Sequence, residues 1–183
     1  MNLDVTNIVK YIVEILLGLI SIYVIPWLRQ KVQKEKLEKI LEAGLLAPSS
    51  RNLKPCTFCL VKDRDTLKRL AKAKCMGGGM LSGSNAAVAV LADSSKADTW
   101  VEDSSIALSF MMLMAQNEGI GCCWVQIHLR KDAKGRDAEA NVRTILSLPE
   151  KYRIVGILAL GIPEEEPESH TRDDADFGKV RRI

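Results

Sequence analysis

The chain of 183 residues is short of aromatics, with three each of Trp, Tyr and Phe, which leaves little with which to stack bases. Nor does it carry an excess of one charge: a net +3 is too small to build a surface for nucleic acid. Nucleic acid is therefore set aside as a partner. Regular cysteine spacing is missing as well. Five cysteines, an odd number, do not make a disulfide framework and suit a reducing compartment. Cys56 and Cys59 spell C-x-x-C, but "TFCLV" reads as a strand, where positions three apart face opposite sides and cannot share a metal or a disulfide. Buried small apolar side chains are the expectation there, and at Cys122 and Cys123. The Gly-rich "MGGGMLSGS" at 76–84 lacks the Lys-Ser/Thr of a phosphate-cradling loop and reads as a mobile loop. No Gly-x-Gly-x-x-Gly follows the first strand, which argues against a dinucleotide-binding fold.

What is present suffices for a globular core, since 47% of the residues are hydrophobic and 27% charged. Three segments are expected: 1–34, an apolar helix with a basic flank; 35–163, the folded domain; and 164–183, an acidic arm with a basic tip. In the first, "YIVEILLGLISIYVIPWL" from Tyr11 to Leu28 holds eighteen residues with Glu14 as its one charge. As a helix it would reach roughly 27 Å, close to a bilayer's hydrocarbon thickness. Trp27 stands where an interfacial anchor would. The Lys/Arg bias of "RQKVQKEKLEK" then puts the C-terminal side in the cytoplasm. A membrane-anchored protein with a cytoplasmic domain is the expectation; the alternative is a helix buried in a dimer core and a cytoplasmic protein. The stretch resembles the single-span N-terminus of small phage holins.

Beyond it, a 3.6-residue period carried by Leu37, Ile40, Leu41, Gly44 and Leu45 predicts a helix to about Leu46. A polar corner follows, Pro48, Ser49, Ser50, Arg51 and Asn52. Then come a strand at 57–62, a helix at about 64–75, a central strand in "NAAVAVLAD", and a helix over 101–118 that is apolar nearly all round and belongs in the interior or at a subunit contact. "CCWVQI" extends, a helix spans about 136–147, and "RIVGILAL" supplies the last core strand. Helices interspersed with strands argue for an α+β layered fold, a mixed or antiparallel sheet flanked by helices. The tail "PEEEPESHTRDDAD" puts seven carboxylates in fourteen residues before "FGKVRRI". It reads as a solvated arm able to wrap a neighbour.

Three pieces, in this order and spacing, resemble the nitroreductase family of FMN flavoproteins over about residues 36–180. They are the helix running into "APSSRNLKP" at 47–55, the buried helix closing on "GIG" with "CCW" behind it, and "LPEKY" leading a strand that ends "GIP". The resemblance implies an intertwined homodimer with FMN at the interface, each site built from both chains. The corner has the chemistry for it, because a flavin mononucleotide needs cations and N–H groups for its phosphate and polar partners for its ribityl chain and pyrimidine edge. Ser49, Ser50, Arg51, Asn52 and Lys54 are placed at the cofactor on that basis. By resemblance, the backbone of Trp124, Val125 and Gln126 lies along the ring.

The implied activity is transfer of a hydride from NAD(P)H through the flavin to an electron-poor small molecule, a nitroaromatic or a quinone. The alternative is a membrane-anchored interaction or dimerisation protein whose domain is non-catalytic. No catalytic acid or base is named. His128 is expected to be structural, and His170 lies in the arm. The chain departs from the family at one point that matters. The usual Arg-Arg-Ser-x-Arg stretch before the first helix is replaced by the apolar segment and "RQKVQ", so Arg29, Lys31, Lys179 or Arg181 would have to meet the phosphate. The usual Gln-Pro-Trp is also Lys54-Pro55-Cys56.

Overall fold

The computed structural model describes residues 5–19, 32–163, 165 and 168–183. Helix α1 spans Val5–Leu19, and its side chains from Val9 to Leu17 are exposed. Of the expected eighteen-residue membrane span at 11–28, residues 11–19 fall in α1 and residues 20–28 lie outside the described residues; among the described residues no helix is long and apolar enough to cross a membrane. Trp27, Arg29 and Lys31 lie outside the described residues.

The folded body starts with α2, Lys34–Leu46. After the corner come β1, Cys56–Val61, and α3, Arg64–Leu70, capped by Asp63 accepting from the Thr66 N–H. A single turn, α4, spans Met80–Gly83, followed by β2, Ala86–Asp93, and α5, Trp100–Asn117. The chain continues with β3, Gly121–Gln126, α6, Ala138–Leu146, and β4, Tyr152–Gly161. The four strands form one fully antiparallel sheet in the order β1-β2-β4-β3.

All eight residues of β2 are buried, as the unbroken apolar run of a central strand requires. Alternation along it sorts two cores. Ala86, Val88, Val90 and Ala92 face Leu37 and Ile40 of α2 and Leu108 and Met111 of α5. Ala87, Ala89 and Leu91 face Leu67 and Leu70 of α3, Leu81 of α4 and Val142 of α6. The same alternation separates the paired cysteines. Cys56 and Cys122 pack toward α2 and α5, Cys59 and Cys123 toward α3 and α6, and all five are free.

Two expectations are corrected. The helix foreseen over 64–75 stops at Leu70, because the backbone beyond it is taken by tertiary partners: the Ala73 carbonyl accepts from the Asn141 amide and the Cys75 N–H donates to the Lys131 carbonyl. The glycine-rich stretch is not a loose loop throughout. It carries α4, whose Leu81 is fully buried, and a Cβ on Gly78 would lie 2.6 Å from the Ala71 carbonyl oxygen. Helix α5 agrees with neither full enclosure nor full exposure: Ala107, Leu108 and Met111 are buried, while Ile106, Phe110 and Leu113 form an exposed apolar stripe at helical spacing, which leaves that face open for the expected subunit contact.

Candidate functional site

The corner is a short 3-10 turn, Ser50–Asn52, leading into β1 at one edge of the sheet. Arg51, Asn52 and Lys54 take positive φ of 51°, 54° and 45°, a conformation that costs side chains with a Cβ and persists only where the surroundings enforce it. Two hydrogen bonds do so. The Ser50 N–H donates to Asp103 Oδ1 at 2.7 Å, and the Lys54 N–H to Ser49 Oγ at 2.9 Å. Asp103, in the first turn of α5, is itself buried and also accepts from the Thr99 hydroxyl at 3.2 Å. The Arg51 guanidinium pairs with Asp98, and the side chains of Arg51, Asn52 and Lys54 are open to solvent. Beneath the corner the cavity is about 30 Å³, space for one water and no more.

Trp124, Val125 and Gln126 lie on β3, at the same end of the sheet but on its opposite edge. Two strands intervene, which at ~4.8 Å per spacing puts the edges about 14 Å apart. Helices α2 and α5 cover the face between them. A planar ring therefore cannot touch both pieces of a single chain. On β3 the ladder ends with the Ile127 N–H donating to the Val155 carbonyl, so the alternation of an antiparallel pair turns the N–H and C=O of Trp124 and Gln126 toward the open edge. The Trp124 indole N–H donates to Gln126 Oε1 at 2.9 Å, and Gln126 Nε2 to the His128 carbonyl at 3.3 Å. An apolar cavity of about 250 Å³ runs beside Met80, Cys122, Cys123, Leu160 and Pro163.

Trp124 is held from beneath by Gly156 of β4. A Cβ there would sit 2.7 Å from the indole Nε1 and 3.2 Å from the Val125 carbonyl oxygen. Gly156→Ala is expected to displace the ring, break its bond to Gln126 and cost about 1–3 kcal/mol through overpacking. A denaturant midpoint and the Trp emission maximum measure both effects; an unchanged midpoint and spectrum would contradict the packing described.

His128 is held between a carboxylate and an aromatic ring. Its Nδ1 lies 2.7 Å from Glu139 Oε1 and its ring meets Trp100 edge-on with centroids 4.9 Å apart. Glu139 is buried, yet it accepts from Arg153 Nε at 2.9 Å, Arg153 Nη2 at 3.0 Å and the Ile154 N–H at 3.0 Å. Burial alone would push its carboxyl up, but the Arg153, His128 and Ile154 hydrogen bonds outweigh this and hold it below the ordinary range. His170 and the described residues of the arm are exposed. Lys179 pairs with Asp176 at 3.7 Å within the arm, and neither it nor Arg181 is brought to the corner.

Sequence reasoning missed Asp103, Asp98 and the Glu139–Arg153 pair. Asp103 and Glu139 sit in first helical turns, where an acid is read as complementing the helix dipole, and the partners that give them a second role are 53 and 14 residues away.

A family model described as "Nitroreductase family" matches residues 26–78 and 77–162. The chain is 34% identical over 149 residues to the "Putative NADH dehydrogenase/NAD(P)H nitroreductase" of Archaeoglobus fulgidus, covering 79% of this chain and 82% of that protein. Among solved structures, the FMN-dependent nitroreductase from Clostridium difficile R20291 superposes with a TM-score of 0.81 at 38% identity, over 83% of this chain and 88% of that one. A "Putative NADH dehydrogenase/NAD(P)H nitroreductase" from Parabacteroides distasonis gives 0.75 at 27% identity, over 84% and 87%.

Proposed function

Because the chain belongs to the nitroreductase family, we propose that it is an FMN-dependent oxidoreductase that draws on NAD(P)H to reduce an electron-poor small molecule, a nitroaromatic or a quinone. The observation that carries the reading is the division of the candidate site between opposite sheet edges: the polar corner beside β1 and the open donors of β3. They meet only if two copies of the chain face each other. The exposed stripe Ile106, Phe110 and Leu113 of α5 supplies an apolar surface for that contact, so the working unit is a homodimer with FMN between protomers.

The residues present suit the cofactor. When bound, FMN would supply the hydride and electron chemistry; the chain binds and orients. The outward N–H groups of Trp124 and Gln126 hydrogen-bond the ring's polar edge. Asn52 donates to that edge from the other protomer, while Ser49 and Ser50 offer hydroxyls to the ribityl chain. Val125, buried in β3, fixes the strand that carries the donors. Arg51 and Lys54 stand exposed as cations for the phosphate, and Lys179 and Arg181 of the arm add charge on reaching it. Arg51 must leave Asp98 to do so. That exchange is inexpensive, since a pair with both side chains more than half exposed is worth about 0–1 kcal/mol.

The purified full-length chain is expected to be yellow and to bleach on adding NADH. Asn52→Ala should lose flavin on gel filtration at least fivefold more readily than Ser95→Ala, whose hydroxyl serves Asp93 in a turn. A colourless protein that ignores added FMN would overturn the assignment and leave a non-catalytic dimerisation module as its replacement.

A further inference from the structure

On the side of the sheet away from α2 and α5, helices α3 and α6 leave a groove of about 350 Å³, within the range of roughly 300–1,000 Å³ that small-molecule sites occupy. Arg69, Lys72, Arg136, Asn141 and Thr144 line it, over a floor of Ala73 and Ile145. Its surroundings are strongly one-signed. Segments 68–74 and 130–136 hold eight Lys or Arg against the single carboxylate of Asp132. Lys68 pairs with Asp65, and Arg136 with Asp132. Arg69, Lys72, Lys74 and Arg130 have no ion pair among the described residues. Arg69, in the last turn of α3, complements the helix dipole there; Lys72, Lys74 and Arg130 lie beyond any helix and have no such role.

The cationic wall is also held in place. Asp132 accepts from the Lys134 N–H at 2.8 Å, the Arg136 N–H at 2.9 Å, Arg136 Nε at 2.7 Å and Asn141 Nδ2 at 3.2 Å. These bonds overcome its burial and hold its carboxyl down to about 2. Arg136 is thus anchored by Nε, with both Nη groups left to donate. Asn141 Nδ2 is spent on Asp132 and on the Ala73 carbonyl at 3.0 Å, which leaves Oδ1 as an acceptor toward the groove. Burial, and after it the charge of Arg130, push the Lys74 ammonium below its usual value.

We propose that this groove binds a phosphate monoester carried on a small organic body. Arg69, Lys72 and the Nη groups of Arg136 meet the dianion, the planar guanidinium forks matching its oxygens. Ala73 and Ile145 take the apolar part of the body, and Asn141 Oδ1 and the Thr144 hydroxyl accept from its hydroxyls or amino groups. The site lies across the sheet from α2 and α5 and is independent of the flavin.

Calorimetric titration of the full chain, loaded with FMN and then freed of unbound flavin by gel filtration so that none is left to compete for the groove, tests this at constant ionic strength. Adenosine 5′-monophosphate and glucose 6-phosphate are the probes, the first carrying a flat base and the second a sugar alone. One saturable site per chain is expected for at least one of them, and its identity says which body the groove prefers. Arg69→Ser combined with Lys72→Ser, and Arg136→Gln separately, should each weaken it at least tenfold. Lys62→Ser, an exposed cation elsewhere, should change nothing. The Arg69 and Lys72 side chains are solvent-exposed and make no ion pair among the described residues, so the melting curve of that double variant without probe should coincide with wild type; Arg136→Gln gives up its bond to Asp132 and should melt lower, so its binding is measured at a temperature where its melting curve shows it folded. Absence of saturable binding by either probe, or equal affinity in the groove variants, would refute the site. So would a duplex oligonucleotide that displaces the probe and binds with a steep salt dependence, since that marks an extended nucleic-acid surface.

Discussion

Asp103→Ala is expected to strip the chain of retained flavin and to lower its unfolding free energy by about 2 kcal/mol. The reason is local. Asp103 is 2% exposed, and it is the acceptor for the Ser50 N–H and the Thr99 hydroxyl. Removing it leaves both donors without a partner where water reaches them poorly, and a hydrogen bond to a charged acceptor is worth about 1.5–3 kcal/mol. The consequence for function is larger, because three residues of left-handed backbone, Arg51, Asn52 and Lys54, are held by that bond and by the Ser49 hydroxyl. Once released, they relax toward ordinary φ and carry the proposed flavin contacts away. Asp103→Asn keeps an oxygen acceptor of the same shape and should recover more than half of both losses. Flavin content by absorbance after gel filtration, with denaturant midpoints on the same samples, separates the cases. An alanine variant with wild-type flavin and midpoint would show that the corner is held by something else.

Glu139→Ala should have the greatest effect on stability, a loss of about 2–3 kcal/mol without direct damage to the flavin contacts. The carboxylate is 4% exposed and accepts from Arg153, the Ile154 N–H and His128. Its removal leaves a guanidinium and a buried backbone donor unsatisfied. Breaking a fully buried pair in this way costs about 3–5 kcal/mol; the Arg153 side chain is 37% exposed, so water relieves part of it. Glu139→Gln keeps one acceptor and should lose less. The pH dependence has a definite sign. A carboxylate whose folded value is depressed contributes stability that is complete above its unfolded value near 4.5 and drains as pH falls through the lower folded value. Wild type should therefore weaken below about pH 4.5 more steeply than either variant. Parallel acid profiles would count against the pairing.

The helix running into "APSSRNLKP", the "GIGCCW" turn and the "LPEKY" strand sufficed to identify the family, and the period of α2 and the unbroken apolar run of β2 sufficed for the layered fold. Those signals are local, written in residues that neighbour one another in the chain. The limits of α3 were not legible, because the carbonyl of Ala73 and the N–H of Cys75 are claimed by Asn141 and Lys131, and propensity has no knowledge of such partners. The buried turn α4 was missed for a similar reason: three glycines read as freedom, whereas Leu81 is drawn into the core beside Val61 and Leu70.

By itself, then, the sequence determined the class of fold, the alternation that parts Cys56 from Cys59, and the chemical character of the Ser49–Asn52 corner. Only the tertiary structure decided that this corner and Trp124–Gln126 stand on opposite edges of one sheet, that Asp103 pins the first of them, and that cations from two distant segments converge on the α3–α6 groove. The physical reason is range. Side-chain alternation and helical period are set by backbone geometry within a few residues, whereas strand order and the meeting of charges depend on which surfaces bury each other when the whole chain closes.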